Sequence, residues 1–197
     1  MADERLDGTA DDEIGEKLIA LVMSGNLVQA QELCQALGIL LDLRSVNLRD
    51  ASLAHADLAS VNLSRAELRG ADLTKSSLCV SNLFEASLSQ ASLREADLTG
   101  TILTRATLGA ADLEDANLHG AILDGANLYG ACLIGTRLTE ASLRGAKLEK
   151  ANLQSADLRG ADLCGADLSG AKYDRETLWP EGFDPVAAGA IQSEDWY

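Results

Sequence analysis

Few residues in this chain are equipped for chemistry, and their spacing does not gather them. There are two histidines, His55 and His119, and four cysteines, Cys34, Cys79, Cys132 and Cys164. No C-x-x-C pair is present, which argues against a metal knuckle, and the irregular cysteine spacing argues against a disulfide framework. No glycine-rich phosphate loop, G-x-S-x-G or H-E-x-x-H occurs. Carboxylates are plentiful, at 31 acids against 16 bases, but plentiful surface carboxylates ordinarily solvate a fold. Neither a cofactor nor a catalytic or metal-binding set is expected, and the chain reads as a non-enzyme.

The positioning element is a run of leucines. One stands at every fifth residue from Leu43 to Leu168, twenty-six in all, with a small residue two positions before each and most often Asp, Asn or Ser immediately before. On an α-helix a step of five advances about 140°, so the leucines would share no face. In a continuous strand side chains alternate with period two, so successive leucines would point to opposite faces. The chain must therefore turn a corner in every repeat. The leucine and the small residue point inward, the residue between them points outward, and the two residues after the leucine make the corner. Glycine recurs at the second corner position, from Gly120 to Gly170, where a permissive backbone helps. Aromatics are scarce, so Leu and Ala build the core.

Residues 1–10 are polar and are expected to form an acidic tail. Residues 11–38 read as a helical hairpin. Ile14, Leu18, Leu21 and Val22 share one face, Ser24 and Gly25 end the first helix, and Leu27, Ala30, Leu33, Cys34 and Leu37 form a second stripe. Too small for a core of its own, the hairpin is expected to cap the first coil, because an uncovered solenoid end exposes core and strand edges. Residues 39–172 are the repeat. Residues 173–197 form a C-terminal cap and tail, in which Trp179 and Phe183 stand beside prolines that cannot continue a ladder.

Net charge is -15, but it is unevenly placed. Residues 1–42 hold nine acids and two bases, residues 43–172 sixteen and thirteen, and residues 173–197 six and one. The repeat surface is nearly balanced, with no basic stripe for direct nucleic-acid binding. The acidic start lacks the basic, then apolar, pattern of a secretory signal, and no apolar run is long enough to span a bilayer. The expectation is a cytoplasmic chain with free thiols.

The sequences Ala56-Asp57-Leu58, Ala71-Asp72-Leu73, Ala116-Asn117-Leu118, Ala126-Asn127-Leu128 and Ala161-Asp162-Leu163 resemble the A(D/N)LXX consensus of the pentapeptide repeat proteins. The segment from Thr177 to Pro185 is similar to the closing sequence of cyanobacterial members. The resemblance implies an all-β solenoid, a right-handed quadrilateral β-helix with four repeats per turn, here with its helical hairpin cap. At that number the rod is about 31 Å long by the strand spacing. It also implies a choice of roles, since some members present a surface to a protein partner while others mimic duplex DNA and bind type II topoisomerases such as gyrase. Bases such as Arg49, Arg65, Arg94, Arg105 and Arg144 interrupt the acidic columns, which favours a scaffold for an unknown protein partner over mimicry. Both ends carrying lids favours a monomer over the end-to-end dimers of some members.

One surface departure stands out. Ile102 and Ile122 occupy outward positions twenty residues apart, where Asp or Asn is usual. Phe84 is expected one coil before Ile102 on the same face, with Val80 at the preceding corner. These four form a candidate protein-contact patch.

Overall fold

A computed structural model describes residues 16–17, 19–22, 26–37 and 43–193. The first short stretches are helical, and helix α1 spans Leu27–Leu37. Val22 and Ala30 are fully buried in the same apolar cluster as the leucines, and Leu21 packs against it, while Val28 is exposed. That sidedness is what the helical stripes predict. Ile14 and Leu18 of the first predicted stripe lie outside the described residues, as does the tail 1–10.

From Leu43 the chain is a coil that returns to the same side every twenty residues. Parallel bridges join Asn47 to Glu67, Glu67 to Ser87, Ser87 to Thr107 and so on, each partner twenty residues on. Four five-residue sides therefore make one turn. All twenty-six leucines are buried, together with most of the alanines two positions before them. Five alternative small residues sit at the alanine position as buried polar groups: Ser76, Ser81, Thr101, Thr136 and Thr177. Four of these hydroxyls donate to leucine carbonyls, Ser76 to Leu73, Thr101 to Leu78, Thr136 to Leu113 and Thr177 to Leu153 at 2.7–2.9 Å.

Backbone hydrogen bonding explains why the repeat is five residues long. In the repeat around Leu113, the Leu113 N–H donates to Cys132 O (2.8 Å) and the Asp115 N–H to Ile134 O (2.9 Å), both on the next coil. The Asn117 N–H donates back to Ala96 O on the preceding coil (2.9 Å), and the Ala116 N–H closes the corner onto Leu113 O (3.0 Å). Four of five donors thus find backbone acceptors. The fifth, the Glu114 N–H, donates to the Asp112 carboxylate at 3.1 Å. The same bond recurs at every Asp or Asn of the outward column, for example Asn82 to Phe84 and Asn127 to Tyr129 at 3.0 Å. The consensus Asp or Asn is an Asx-turn acceptor for a donor that the coil leaves unpaired. Sequence reading assigned it solvation alone.

Each corner places its second residue in the left-handed region. All twenty-six such positions from Ser45 to Gly170 have φ between 54° and 73°. Ten are glycine and sixteen are not.

At the far end the register slips. Asn152 pairs with Lys172 at a spacing of twenty, but Asp157 pairs with Leu178 at twenty-one. The extra residue falls in the corner after Tyr173. There Asp174 gathers it, one carboxylate oxygen accepting from the N–H groups of Ser155, Glu176 and Thr177 at 2.9–3.1 Å. The coil thus continues past 172 for another side, with Tyr173 buried in the leucine place. Strand β1, Lys172–Tyr173, then pairs in parallel with β2, Ile191–Gln192. Between them Trp179 packs edge-on against Tyr173 (centroids 5.5 Å, 84°) and stacks on Phe183 (5.3 Å, 23°), covering the last leucines with rings.

Candidate interaction surface

Three of the five positions in each repeat determine where a functional side chain can stand: the outward column and the two corner columns that flank it. His55 occupies a second corner position with φ 61°. His119 is a first corner residue whose Nδ1 lies 2.9 Å from the Thr139 hydroxyl and 3.0 Å from its carbonyl. The coil does not bring the two together. Cys79, Cys132 and Cys164 are free thiols on different columns. Burial pushes the Cys79 and Cys132 thiols up, Cys79 further through Asp97, which disfavours their thiolate forms.

Sequence reading compared cysteines only with histidines and so missed one juxtaposition. Asp112 and Cys132 stand twenty apart and are bridged, and with Glu114 their ligand atoms lie within 4.8 Å of one another. The spacing of twenty was the available signal. Arg94 occupies this cluster, its Nη1 donating to Asp112 at 3.2 Å and to Glu114 more closely still. A guanidinium already shared between both carboxylates makes the group an ion-pair cluster and opposes a second cation there.

The predicted patch divides. Ile102 and Ile122 are bridged to each other in the outward column of the side built on Leu83, Leu103 and Leu123, and are 37% and 40% exposed. Val80, at the corner leading into that side, is 67% exposed. Phe84 is placed differently from the expectation. Asn82, not Phe84, is bridged to Ile102. The outward residue precedes the leucine, whereas the residue after it has already entered the corner, so Phe84 stands half-buried at the opposite edge of the side. There it lines a groove of about 640 Å³ with Arg44, Ser45, Ser64, Arg65 and Asn82.

Two features show that the strip forgoes local stabilisation. Val80 has φ 56° and is the single β-branched residue among the sixteen non-glycine left-handed corners, the type least suited to that region. Ile102 and Ile122 offer no side-chain acceptor to the Thr104 and Asp124 N–H groups, a lack they share with the other outward positions that are not Asp or Asn, such as Ser92 and Lys147. Above Val80 the same corner column continues as Gly100 and Gly120. A Cβ at Gly100 would lie 3.8 Å from Val80 Cγ2, and one at Gly120 would meet nothing within 4 Å. The isoleucines are therefore flanked by a bare backbone edge.

The family described as Pentapeptide repeats matches residues 42–79, 81–120, 101–139 and 141–172, in eight copies. The chain belongs to the pentapeptide repeat family. Its coil is that family's right-handed quadrilateral β-helix. Among solved structures it is similar to HetL, a pentapeptide repeat protein involved in heterocyst differentiation regulation from the cyanobacterium Nostoc sp. strain PCC 7120. That match has 37% identity over 64% of this chain and 67% of that one, with a TM-score of 0.38. The pentapeptide repeat protein alr5209 from Nostoc PCC 7120 is 38% identical over 57% of this chain and 84% of its own, with a TM-score of 0.27. QnrB1, a plasmid-mediated fluoroquinolone resistance protein, is 15% identical over 78% of this chain and 88% of its own, with a TM-score of 0.40. No curated protein matches the chain. Among the described residues no helix is long and apolar enough to cross a membrane.

Proposed function

We propose that the chain is a non-enzymatic interaction module whose rigid β-helix presents the side carrying Val80, Ile102 and Ile122 to a protein partner. The observation that carries this reading is the coincidence of apolar exposure with forgone stability. A β-branched corner valine at φ 56° and two exposed isoleucines lie together on one side. Local rules are ordinarily broken where a surface is needed for something else. Contiguous exposed apolar groups are a recurring mark of contact surfaces. The chain acts as a monomer in this reading, its ends covered by the helices and by the Trp179–Phe183 segment.

The test is partner capture from the source cell by the tagged full chain and by I102D and I122D variants whose circular dichroism matches the parent. The partner is the protein that the parent retains, and the variants are expected to lose it. Undiminished capture by folded variants would falsify the reading.

Mimicry of duplex DNA toward a type II topoisomerase is the second reading. It calls for unbroken acidic columns, and the ion pairs Arg49–Glu67, Lys75–Glu95, Arg94–Glu114, Arg144–Asp162 and Arg159–Asp157 set cations among the acids. Inhibition or drug protection in a gyrase supercoiling assay would reverse the order.

A further inference from the structure

The groove at Phe84 has a chemistry unlike the rest of this acidic chain. Arg44 and Arg65 line it with Ser45, Ser64, Asn82 and the Phe84 ring, and among the described residues no carboxylate does. The acid nearest along the corner column, Glu85, is fully engaged. Its Oε2 accepts from Arg65 Nε at 3.0 Å and its Oε1 pairs with Arg105 Nη1 at 3.1 Å. Two guanidinium groups on one carboxylate leave this corner positive. The Glu85 carboxylate also holds Arg65 by its Nε, and the terminal nitrogens of Arg65 make no hydrogen bond among the described residues.

The neutral groups add donors. Asn82 commits its Oδ1 to the Phe84 N–H at 3.0 Å, which leaves the amide nitrogen as the group it can offer a ligand. Ser45 and Ser64 supply hydroxyls. A guanidinium edge with two free N–H vectors matches a carboxylate in a bidentate fork. The Phe84 ring beside it offers an apolar platform of the kind that packs a side-chain stem.

We propose that this groove binds a carboxylate side chain of an acidic peptide segment, received by Arg65 with Asn82 and the two serines. The inference rests on the reading of this side as a protein-contact surface and names the chemistry of the partner. Asn82 is bridged to Ile102, so the groove and the apolar strip are continuous. A segment crossing the side sets an aliphatic residue on Ile102 and an acidic one at Arg65. That continuity favours a peptide over a small inorganic anion, which would need none of the apolar neighbours.

The experiment uses the full chain and measures fluorescence anisotropy of a short labelled peptide of alternating Glu and Leu. The same peptide with Gln in place of Glu is the comparison, and inorganic phosphate is the competitor. The Glu peptide is expected to bind at least about tenfold more tightly than the Gln peptide, the scale of a charge-assisted hydrogen bond, and to weaken with added salt. R65Q is expected to remove that preference, while R159Q, on another corner, leaves it intact. Equal affinity for the two peptides overturns the proposal without reference to any variant. So does a folded R65Q that keeps the preference, or phosphate displacing the peptide as effectively as unlabelled Glu peptide does. The reading of the apolar strip fails separately, through undiminished partner capture by I102D and I122D, so the two failures are distinguishable.

Discussion

Replacing Val80 by glycine is expected to stabilise the fold and weaken the interaction at once. Val80 sits at φ 56°, where an L-residue with a Cβ costs roughly 1–2 kcal/mol and a β-branched one lies at the unfavourable end. Glycine removes that strain, and its greater freedom in the unfolded chain returns about 0.5–1 kcal/mol. Little burial is lost, since the side chain is 67% exposed. The corner's own bonds, Val80 N–H to Thr99 O at 2.9 Å and Ser81 N–H to Leu78 O at 3.0 Å, belong to the backbone and persist. The balance is a gain of about 0.5–1 kcal/mol, or an increase in Tm of about 1–4 °C for a domain of this size. Calorimetric melting of V80G beside the parent measures the first effect, and partner capture the second. G100V is the mirror experiment. Its φ is 63° and the new Cβ would make only ordinary contact with Val80, so strain less the same glycine entropy leaves a loss of about 0.5–1 kcal/mol. A V80G protein that melts below its parent would refute the reasoning, because the valine would then contribute to the fold that it is held to burden.

Two other consequences concern the coil and its end. Hydrogen bonds from Thr74 to Asp72 and from Ser169 to Asp167 lower both carboxyls from their usual range. Their stabilisation is therefore fully present above the unfolded-state value near 3.9 and lost as pH falls through the lowered folded values. D72N/D167N keeps the Oδ1 acceptor, so acid melting curves should show a smaller loss of Tm below about pH 4 than the parent. An equal loss would place the acid sensitivity elsewhere. W179A removes the ring between Tyr173 and Phe183, and hydrogen exchange should quicken at Leu153 and Leu158 while Leu93 to Leu113 keep their protection, because coils couple mainly to their neighbours. Uniform loss of protection would show that the rod unfolds as one unit.

The leucine period was sufficient to show that the chain turns every five residues and which side chains face inward, because no straight element puts twenty-six leucines on one side. It did not set the number of sides. A polygon of three, four or five sides satisfies period five equally, and four came only from the family resemblance. The spacing of twenty was readable once that number was in hand, and it placed Ile102 over Ile122 correctly. The same spacing would have stacked Cys132 on Asp112 had carboxylates been compared with thiols. Phe84 was misplaced by a local matter, the point at which the side ends and the corner begins, which hydrogen bonding settles at the leucine. The terminal slip to twenty-one was hidden because Tyr173 still holds the leucine place and the extra residue lies beyond it, where no repeat remains to compare.

The corners carried the least visible requirement. Glycine at ten of them suggests a preference for left-handed backbone, but the sixteen other residues there conceal that the requirement is universal. Once it is universal, the identity of a corner residue becomes informative. The backbone asks the same of every corner and glycine satisfies it at least strain, so a residue with a Cβ is retained either because its strain is small or because its side chain is used. Ser, Asp, His55 and the long polar residues are compatible with this region or form ion pairs such as Arg65–Glu85–Arg105, and Ala110 carries nothing beyond its Cβ. A valine does neither. In a fold whose backbone is this uniform, the proposed contact rests on the side where a strained corner valine, two exposed isoleucines and the Phe84 groove coincide.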